Sequence, residues 1–176
     1  MTMWVFGYGS LLWNPGFEVA QSRVATLPGY ARSFCMRSIH HRGTSAEPGL
    51  VLALDQQDGA ACKGLAYAVA EGHEDQTLAM LRERELISSA YLEKNLCVMP
   101  ENGQPLRAVT YVIDADHVQY CGGLALEEQA LIIARAKGQR GPNDEYLYNT
   151  ANHLTGIGLD DPDLDWLANR VRALTA

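Results

Sequence analysis

A chain of 176 residues, 47% of them hydrophobic and 20% charged, carries enough apolar side chain for a core and too much for a disordered segment. Folding at that length buries roughly 70% of the surface of the extended chain, so residues 1–176 read as a single domain. Fourteen Lys and Arg against 21 Asp and Glu leave a net charge of −7, which repels phosphate backbones and anionic lipid and argues against nucleic-acid or membrane partners. A soluble enzyme or a small-ligand binder remains.

Cys35, Cys62, Cys97 and Cys121 stand 27, 35 and 24 residues apart. None of these spacings matches a zinc knuckle or a redox dithiol, so all four read as buried or half-buried thiols in a reducing compartment. The start, Met1-Thr2-Met3-Trp4-Val5-Phe6-Gly7, lacks the basic segment of a signal peptide. No window reaches the ~18–20 apolar residues of a membrane helix. A cytoplasmic location is expected.

In chain order, Trp4-Val5-Phe6-Gly7-Tyr8 is a short aromatic and β-branched strand that stops at Gly9-Ser10. Residues 49–55 and 62–69 are apolar runs on either side of Gln56-Gln57-Asp58-Gly59, where Asp-Gly predicts a hairpin turn. Helix formers dominate residues 73–90. Residues 95–99 and 107–113 predict a second hairpin around Asn102-Gly103. A helix over 126–137 is expected to end at Gly138, and one over 143–154 to start with Asn143 as its N-cap. Asp161-Pro162 opens the last helix, where Leu164, Leu167, Val171 and Leu174 form a core-facing stripe. Strands early and helices late, joined by hairpins, predict an α+β fold on a mainly antiparallel sheet or small barrel.

Two glycines around Tyr8 let the backbone of Phe6-Gly7-Tyr8-Gly9-Ser10-Leu11-Leu12 approach a ligand closely, with the amides of Gly9, Ser10 and Leu11 as a candidate anion nest. A plain tight turn is the simpler alternative. A dinucleotide fingerprint requires glycine where Leu12 stands, and no βαβ unit follows. On a helix from about residue 77 to 90, with Leu78 at zero, Leu81 falls near ~300°, Leu86 near ~80° and Glu85 near ~340°. Glu85 therefore lies in the apolar stripe, where a carboxylate must be paired, protonated or functional. A structural pair with arginine is the plainer explanation.

In Ile39-His40-His41-Arg42-Gly43-Thr44, adjacent histidines of an extended segment point to opposite sides and no further ligand stands at metal spacing. A polar loop in which His41 and Arg42 meet a substrate carboxylate is the better functional reading, and a merely exposed loop competes with it. Tyr111 and Tyr146 are candidates to project hydroxyls into a cavity, although core or rim positions are commoner for tyrosine. No Gly-x-Ser-x-Gly elbow, His-Glu-x-x-His or phosphate loop occurs, and no partner is placed to activate Ser10.

In this order the segments resemble the ChaC family of γ-glutamylcyclotransferases. The resemblance is carried by Trp4-Val5-Phe6-Gly7-Tyr8-Gly9-Ser10-Leu11-Leu12-Trp13 and by His41-Arg42-Gly43-Thr44 with Pro48-Gly49. It continues through Arg84-Glu85, with Tyr91 six residues after the glutamate, to Gly141-Pro142-Asn143 and Glu145-Tyr146-Leu147. It spans nearly the whole chain, with Met1-Thr2 as a two-residue extension. It implies a compact mixed, mainly antiparallel β-barrel with flanking helices. Members act on glutathione, releasing 5-oxoproline and Cys-Gly without metal or organic cofactor, and for this chain the resemblance leans to a monomer while oligomeric state stays open. By position, the loop Val5, Phe6, Gly7, Tyr8, Gly9, Ser10 and Leu11 holds the γ-glutamyl part and Glu85 is the acid/base. His41, Arg42, Tyr111 and Tyr146 complete the candidate substrate-binding set. This chain has Ser88-Ser89-Ala90 where relatives commonly carry one or two glycines, and Glu83 is a rival to Glu85. The helical wheel and the spacing to Tyr91 favour Glu85.

The chemistry suits that assignment. The substrate's α-amine is its own nucleophile, so no serine or cysteine nucleophile is required. A carboxylate in an apolar setting can take a proton from that amine and pass it to the departing amine of Cys-Gly. Two other functions are compatible with the residues: a cyclotransferase for other γ-glutamyl amino acids or amines, and an inactive γ-glutamyl-binding protein. A metal hydrolase built on His40 and His41 is a remote third.

Overall fold

The computed structural model describes residues 2–86 and 89–176. The elements run β1 (Trp4–Gly7), α1 (Ser10–Trp13), β2 (Val19–Ser38), β3 (Gly49–Val69), α2 (Glu74–Glu85), β4 (Tyr91–Pro100) and β5 (Leu106–Ile113). There follow α3 (Leu126–Arg135), β6 (Lys137–Gly138), β7 (Gly141–Pro142), α4 (Asn143–Gly156) and α5 (Pro162–Thr175). Five strands close into a barrel in the order β1-β3-β2-β4-β5. Neighbouring strands β1 and β3, β2 and β4, and β4 and β5 are antiparallel, and the ring closes through a parallel pairing of β1 with β5 at Val5 and Val109. This is the mixed, mainly antiparallel barrel with flanking helices that the family resemblance implies.

The chain divides into two compact units, residues 1–32 with 54–117, and residues 33–53 with 118–176. In the first, Val5, Leu11, Val69, Leu81 and Tyr111 form a buried cluster against which Met3, Phe17, Met80, Leu86, Tyr91 and Val109 pack. Burying a side chain such as Leu81 stabilises by about 2 kcal/mol. The β4–β5 hairpin forms around Asn102-Gly103, in register from Tyr91 opposite Ile113 to Val98 opposite Leu106. In the second unit Asp161 caps α5, accepting from the Leu164 amide at 3.1 Å, and Leu164, Leu167 and Val171 are buried along one face.

Several local signals are overridden. Where Asp58-Gly59 predicts a turn, β3 runs unbroken through 21 residues, and Gly59 takes φ +80° within the strand. A left-handed glycine inside a ladder accommodates a bend without reversing the chain. β2, twenty residues long, has no counterpart among the predicted strands, because Pro28-Gly29 in its middle reads as a breaker. Cys97 is exposed, against the expectation that all four thiols are covered.

Helix ends also differ from expectation. α3 stops at Arg135 and Gly138 enters β6, where a Cβ would lie 2.5 Å from the His41 carbonyl and the Gly43 amide. Its glycine serves close backbone approach and not a cap. Pro142, not Asn143, is the N-cap of α4. Asn143 is fully buried, and its amide bridges the backbone of Leu50, Oδ1 accepting from N and Nδ2 donating to O, both at 2.8 Å. It works like one more strand pairing at the start of β3. α2 ends at Glu85 with Leu86 as its C-cap, short of the predicted residue 90. Ile87 and Ser88, the latter part of the departure from glycine noted above, lie outside the described residues. Ser89 sits at φ 61°, a region that costs a residue with a Cβ roughly 1–2 kcal/mol.

Two outcomes follow for equilibrium urea unfolding. Asn143→Ala strands two buried backbone groups of Leu50 and is expected to lose about 2–4 kcal/mol; a loss within error of zero would mean that water replaces the amide. Ser89→Gly relieves the left-handed backbone and is expected to gain about 0.5–1 kcal/mol, less than the full relief because glycine also loosens the unfolded chain.

Candidate active site

The site residues of the first unit gather where β1 hands over to α1. Strand β1 ends at Gly7, whose missing side chain is required by its surroundings: a Cβ would sit 3.0 Å from the Tyr67 ring and 3.1 Å from the Leu11 Cβ. A Cβ on Gly64 would strike the Gly7 carbonyl from the neighbouring strand. Val5, Phe6, Tyr8 and Leu11 are buried, and Ser10 is partly exposed.

Three side chains hold this turn. The Tyr67 hydroxyl donates to the Leu11 carbonyl at 2.9 Å, and burial pushes its pKa up to about 12. Arg32 Nε donates to the Tyr8 carbonyl at 2.7 Å, while its Nη2 reaches the Lys63 carbonyl. Arg84 Nη1 donates to the Asn14 carbonyl at 2.7 Å, and Nη2 donates to the Ser10 hydroxyl at 3.0 Å. The guanidinium thus occupies the oxygen of Ser10, and its Nε stands 3.6 Å from Glu85 Oε1.

Glu85 is the last residue of α2, one turn beyond the fully buried Leu81. Its carboxylate is only 16% exposed. Burial raises its pKa above the ordinary carboxylate value, and Arg84 partly offsets that rise. Glu83, the rival, is exposed to solvent. Tyr111 is buried in the same apolar cluster, and its hydroxyl donates to Glu93 Oε1 at 2.8 Å. Glu93 is gripped in turn by Arg82, whose Nε and Nη2 reach its two oxygens at 2.9 Å each.

His41, Arg42 and Tyr146 lie in the second unit, where they form a different kind of cluster. Sequence places Arg42 against a substrate carboxylate, but its side chain, 7% exposed, is committed to the protein. Nη1 donates to the Pro142 carbonyl at 3.0 Å and lies 3.5 Å from Glu145 Oε1, and the guanidinium stacks over the Tyr146 ring at 5.8 Å. The Tyr146 hydroxyl accepts from the Leu52 amide at 3.2 Å. His41 is exposed, and its pKa is lowered by desolvation first, then by Arg140, His40 and Arg42. Gly43 and Gly49 explain the rest of that motif: a Cβ on Gly43 would meet the Ser38 carbonyl at 2.6 Å, and one on Gly49 would meet Asn143 Oδ1 at 2.8 Å. Among the described residues no three of His, Cys, Asp and Glu are grouped to hold a metal ion.

Sequence reasoning passes over Tyr67, Arg32, Arg82 and Glu93. Their partners are 11 to 56 residues away in the chain, and no local pattern signals such contacts. Only Arg84 carries a local hint, its place beside Glu85.

A mixed barrel of the γ-glutamylcyclotransferase type carries a mostly covered glutamate at a helix end, tied through Arg84 to a glycine turn. The chain belongs to the ChaC-like protein family, whose model matches residues 3–174. It is 36% identical over 174 residues to the glutathione-specific gamma-glutamylcyclotransferase of Escherichia coli, covering 99% of this chain and 74% of that one. It is 38% identical over 183 residues to gamma-glutamylcyclotransferase 2-1 of Arabidopsis thaliana, covering 98% and 83%. A crystal structure of a glutathione-specific cyclotransferase from yeast superposes with a TM-score of 0.88 at 24% identity, covering 98% of this chain and 96% of that one, and shares the fold.

The environment of Glu85 predicts a pH-dependent stability. Its raised pKa means that the folded state holds the proton more tightly than the unfolded state. That contribution is complete below the ordinary carboxylate range and is lost as pH climbs through the folded value. Glu85→Gln, shaped like the neutral acid, has no such loss. In urea titrations it should match the wild type near about pH 4 and exceed it near about pH 8. A difference that does not change with pH would show that burial does not raise this carboxyl.

Proposed function

We propose that this protein is a glutathione-specific γ-glutamylcyclotransferase with Glu85 as its acid/base. The observation that carries the reading is the mostly covered Glu85 carboxylate, tied through Arg84 to the turn at Ser10. The α-amine of the glutamyl residue attacks the γ-carbonyl, forming the ring C–N bond of 5-oxoproline as the amide bond to Cys-Gly breaks. Glu85 takes the proton from the attacking nitrogen and delivers it to the departing amine, so the carboxylate is regenerated each cycle. A pKa raised by burial makes it a better base than an exposed carboxylate and leaves it able to act as the acid in the second half.

The turn from Val5 to Leu11 is assigned to the γ-glutamyl part, its backbone amides receiving the α-carboxylate or the developing oxyanion. Ring closure requires the flexible glutamyl chain to fold back on itself, and a rigid turn supports that geometry. Tyr67, Arg32 and Arg84 supply the rigidity. Tyr111 stands on the Glu85 side of this arrangement. Arg42 and Tyr146 are assigned to shaping the loop that presents His41, and His41 to contacting substrate. Residues 1–176 are read as one catalytic domain, monomeric and cytoplasmic, acting on a small molecule. Among the described residues no helix is long and apolar enough to cross a membrane.

Release of 5-oxoproline and Cys-Gly from reduced glutathione tests this function, with γ-glutamylalanine run alongside. Wild-type turnover of glutathione is expected to exceed that of γ-glutamylalanine, and Glu85→Gln to lose about 10²–10⁴-fold with its fold intact. Equal turnover of both substrates would remove the restriction to glutathione. Near-normal turnover by Glu85→Gln would remove Glu85 from its role, and glutathione binding without product would leave a binding protein.

A further inference from the structure

The hydroxyl of Ser10 is held by a side chain that is itself built in. Arg84 Nη1 donates to two successive carbonyls, Asn14 at 2.7 Å and Pro15 at 3.4 Å. The next residue, Gly16, lies at φ +77°, and a Cβ there would stand 3.3 Å from the same nitrogen and 3.6 Å from the Met80 methyl. The guanidinium is planar, so with Nη1 engaged in this bend and Nε 3.6 Å from Glu85, the direction of Nη2 is fixed. It points at Ser10 Oγ, 3.0 Å away.

That bond sets the direction of the hydroxyl. A serine oxygen can accept or donate, and its hydrogen rotates to suit. A guanidinium has five donors and no acceptor, so the Ser10 oxygen accepts from Arg84 and its hydrogen turns elsewhere. Among the described residues no acceptor takes that hydrogen, and Ser10 is partly exposed, within reach of a ligand. The cation behind the oxygen polarises the O–H bond and repels a second cation. An arriving ammonium is therefore disfavoured at this hydroxyl, and an anionic oxygen is favoured. We propose that Arg84 is a positioning residue for Ser10, turning the hydroxyl hydrogen outward so that Ser10 meets the substrate as a donor to a negatively charged oxygen. That oxygen belongs to the α-carboxylate of the γ-glutamyl part or to the oxyanion that develops at the γ-carbonyl.

The inference rests on the turn from Val5 to Leu11 as the γ-glutamyl site, and kcat and KM for 5-oxoproline release from reduced glutathione test it. Four proteins are compared: wild type, Ser10→Ala, Arg84→Lys and the double variant, each with its urea midpoint as a check on folding. Arg84→Lys keeps a positive charge beside Glu85, but a single ammonium does not reproduce the fork that serves Asn14 and Ser10 together. If Arg84→Lys does not fold, Arg84→Gln takes its place. Ser10→Ala is expected to lower kcat/KM by about 10–10²-fold, the effect of losing a hydrogen bond to a charged oxygen. A rise in KM with kcat kept assigns the donor to the α-carboxylate, and a fall in kcat with KM kept assigns it to the oxyanion. Arg84→Lys is expected to cost about tenfold in the wild-type background and less than about threefold once Ser10 is replaced, because its effect runs through the hydroxyl. A role confined to holding the bend would cost the same in both backgrounds. Equal costs, or near-normal turnover by Ser10→Ala, overturn the inference. A wild type silent on glutathione overturns the proposed function and this inference with it. An active wild type beside an unimpaired Ser10→Ala overturns the inference alone.

Discussion

One guanidinium organises the first unit. Arg84 reaches the Ser10 hydroxyl and the Asn14 carbonyl with its two terminal nitrogens and lies against Glu85 with its third. Arginine suits this position because its planar fork presents several donors in fixed directions at once, where lysine offers a single movable head. The turn and the carboxylate are therefore located by one rigid body and not by two separately flexible side chains. The same charge sits close enough to moderate the rise in the Glu85 pKa that burial produces. Arg84 thus touches both the turn and Glu85, and it moderates a proton affinity that burial raises first.

Much of this was legible in the chain. The wheel over α2 places Glu85 in the apolar stripe because helical periodicity is local, and the structure has Thr77, Leu81 and Glu85 succeeding one another at four-residue intervals on that face. Asn102-Gly103 and Asp161-Pro162 act as written because each signal and its consequence lie within a few residues. Asp58-Gly59 is an equally strong local signal and fails, since the ladders that keep β3 continuous draw on strands remote in sequence. Asn143 misleads for a related reason. Its side chain is worth more to the buried backbone of Leu50, 93 residues away, than to the end of its own helix. The tyrosine and arginine partners of the β1–α1 turn were out of reach for the same cause.

The second unit shows how a sequence motif can be mostly architecture. In His41-Arg42-Gly43-Thr44 with Pro48-Gly49, the two glycines are set by backbone approaching backbone, and the arginine by a carbonyl, a carboxylate and a ring of its own unit. A charged side chain buried to that degree requires such partners. His41 and Thr44 are the members left exposed. The features that make the motif recognisable are thus largely those that fold the loop.

Tyr67 has a further consequence. Burial pushes the pKa of the hydroxyl that fixes the Leu11 carbonyl up to about 12, so it stays protonated and neutral through the neutral pH range. A change of pH within that range leaves the Tyr67 tie in place, so the β1–α1 turn keeps its anchor whatever the charge on the neighbouring side chains.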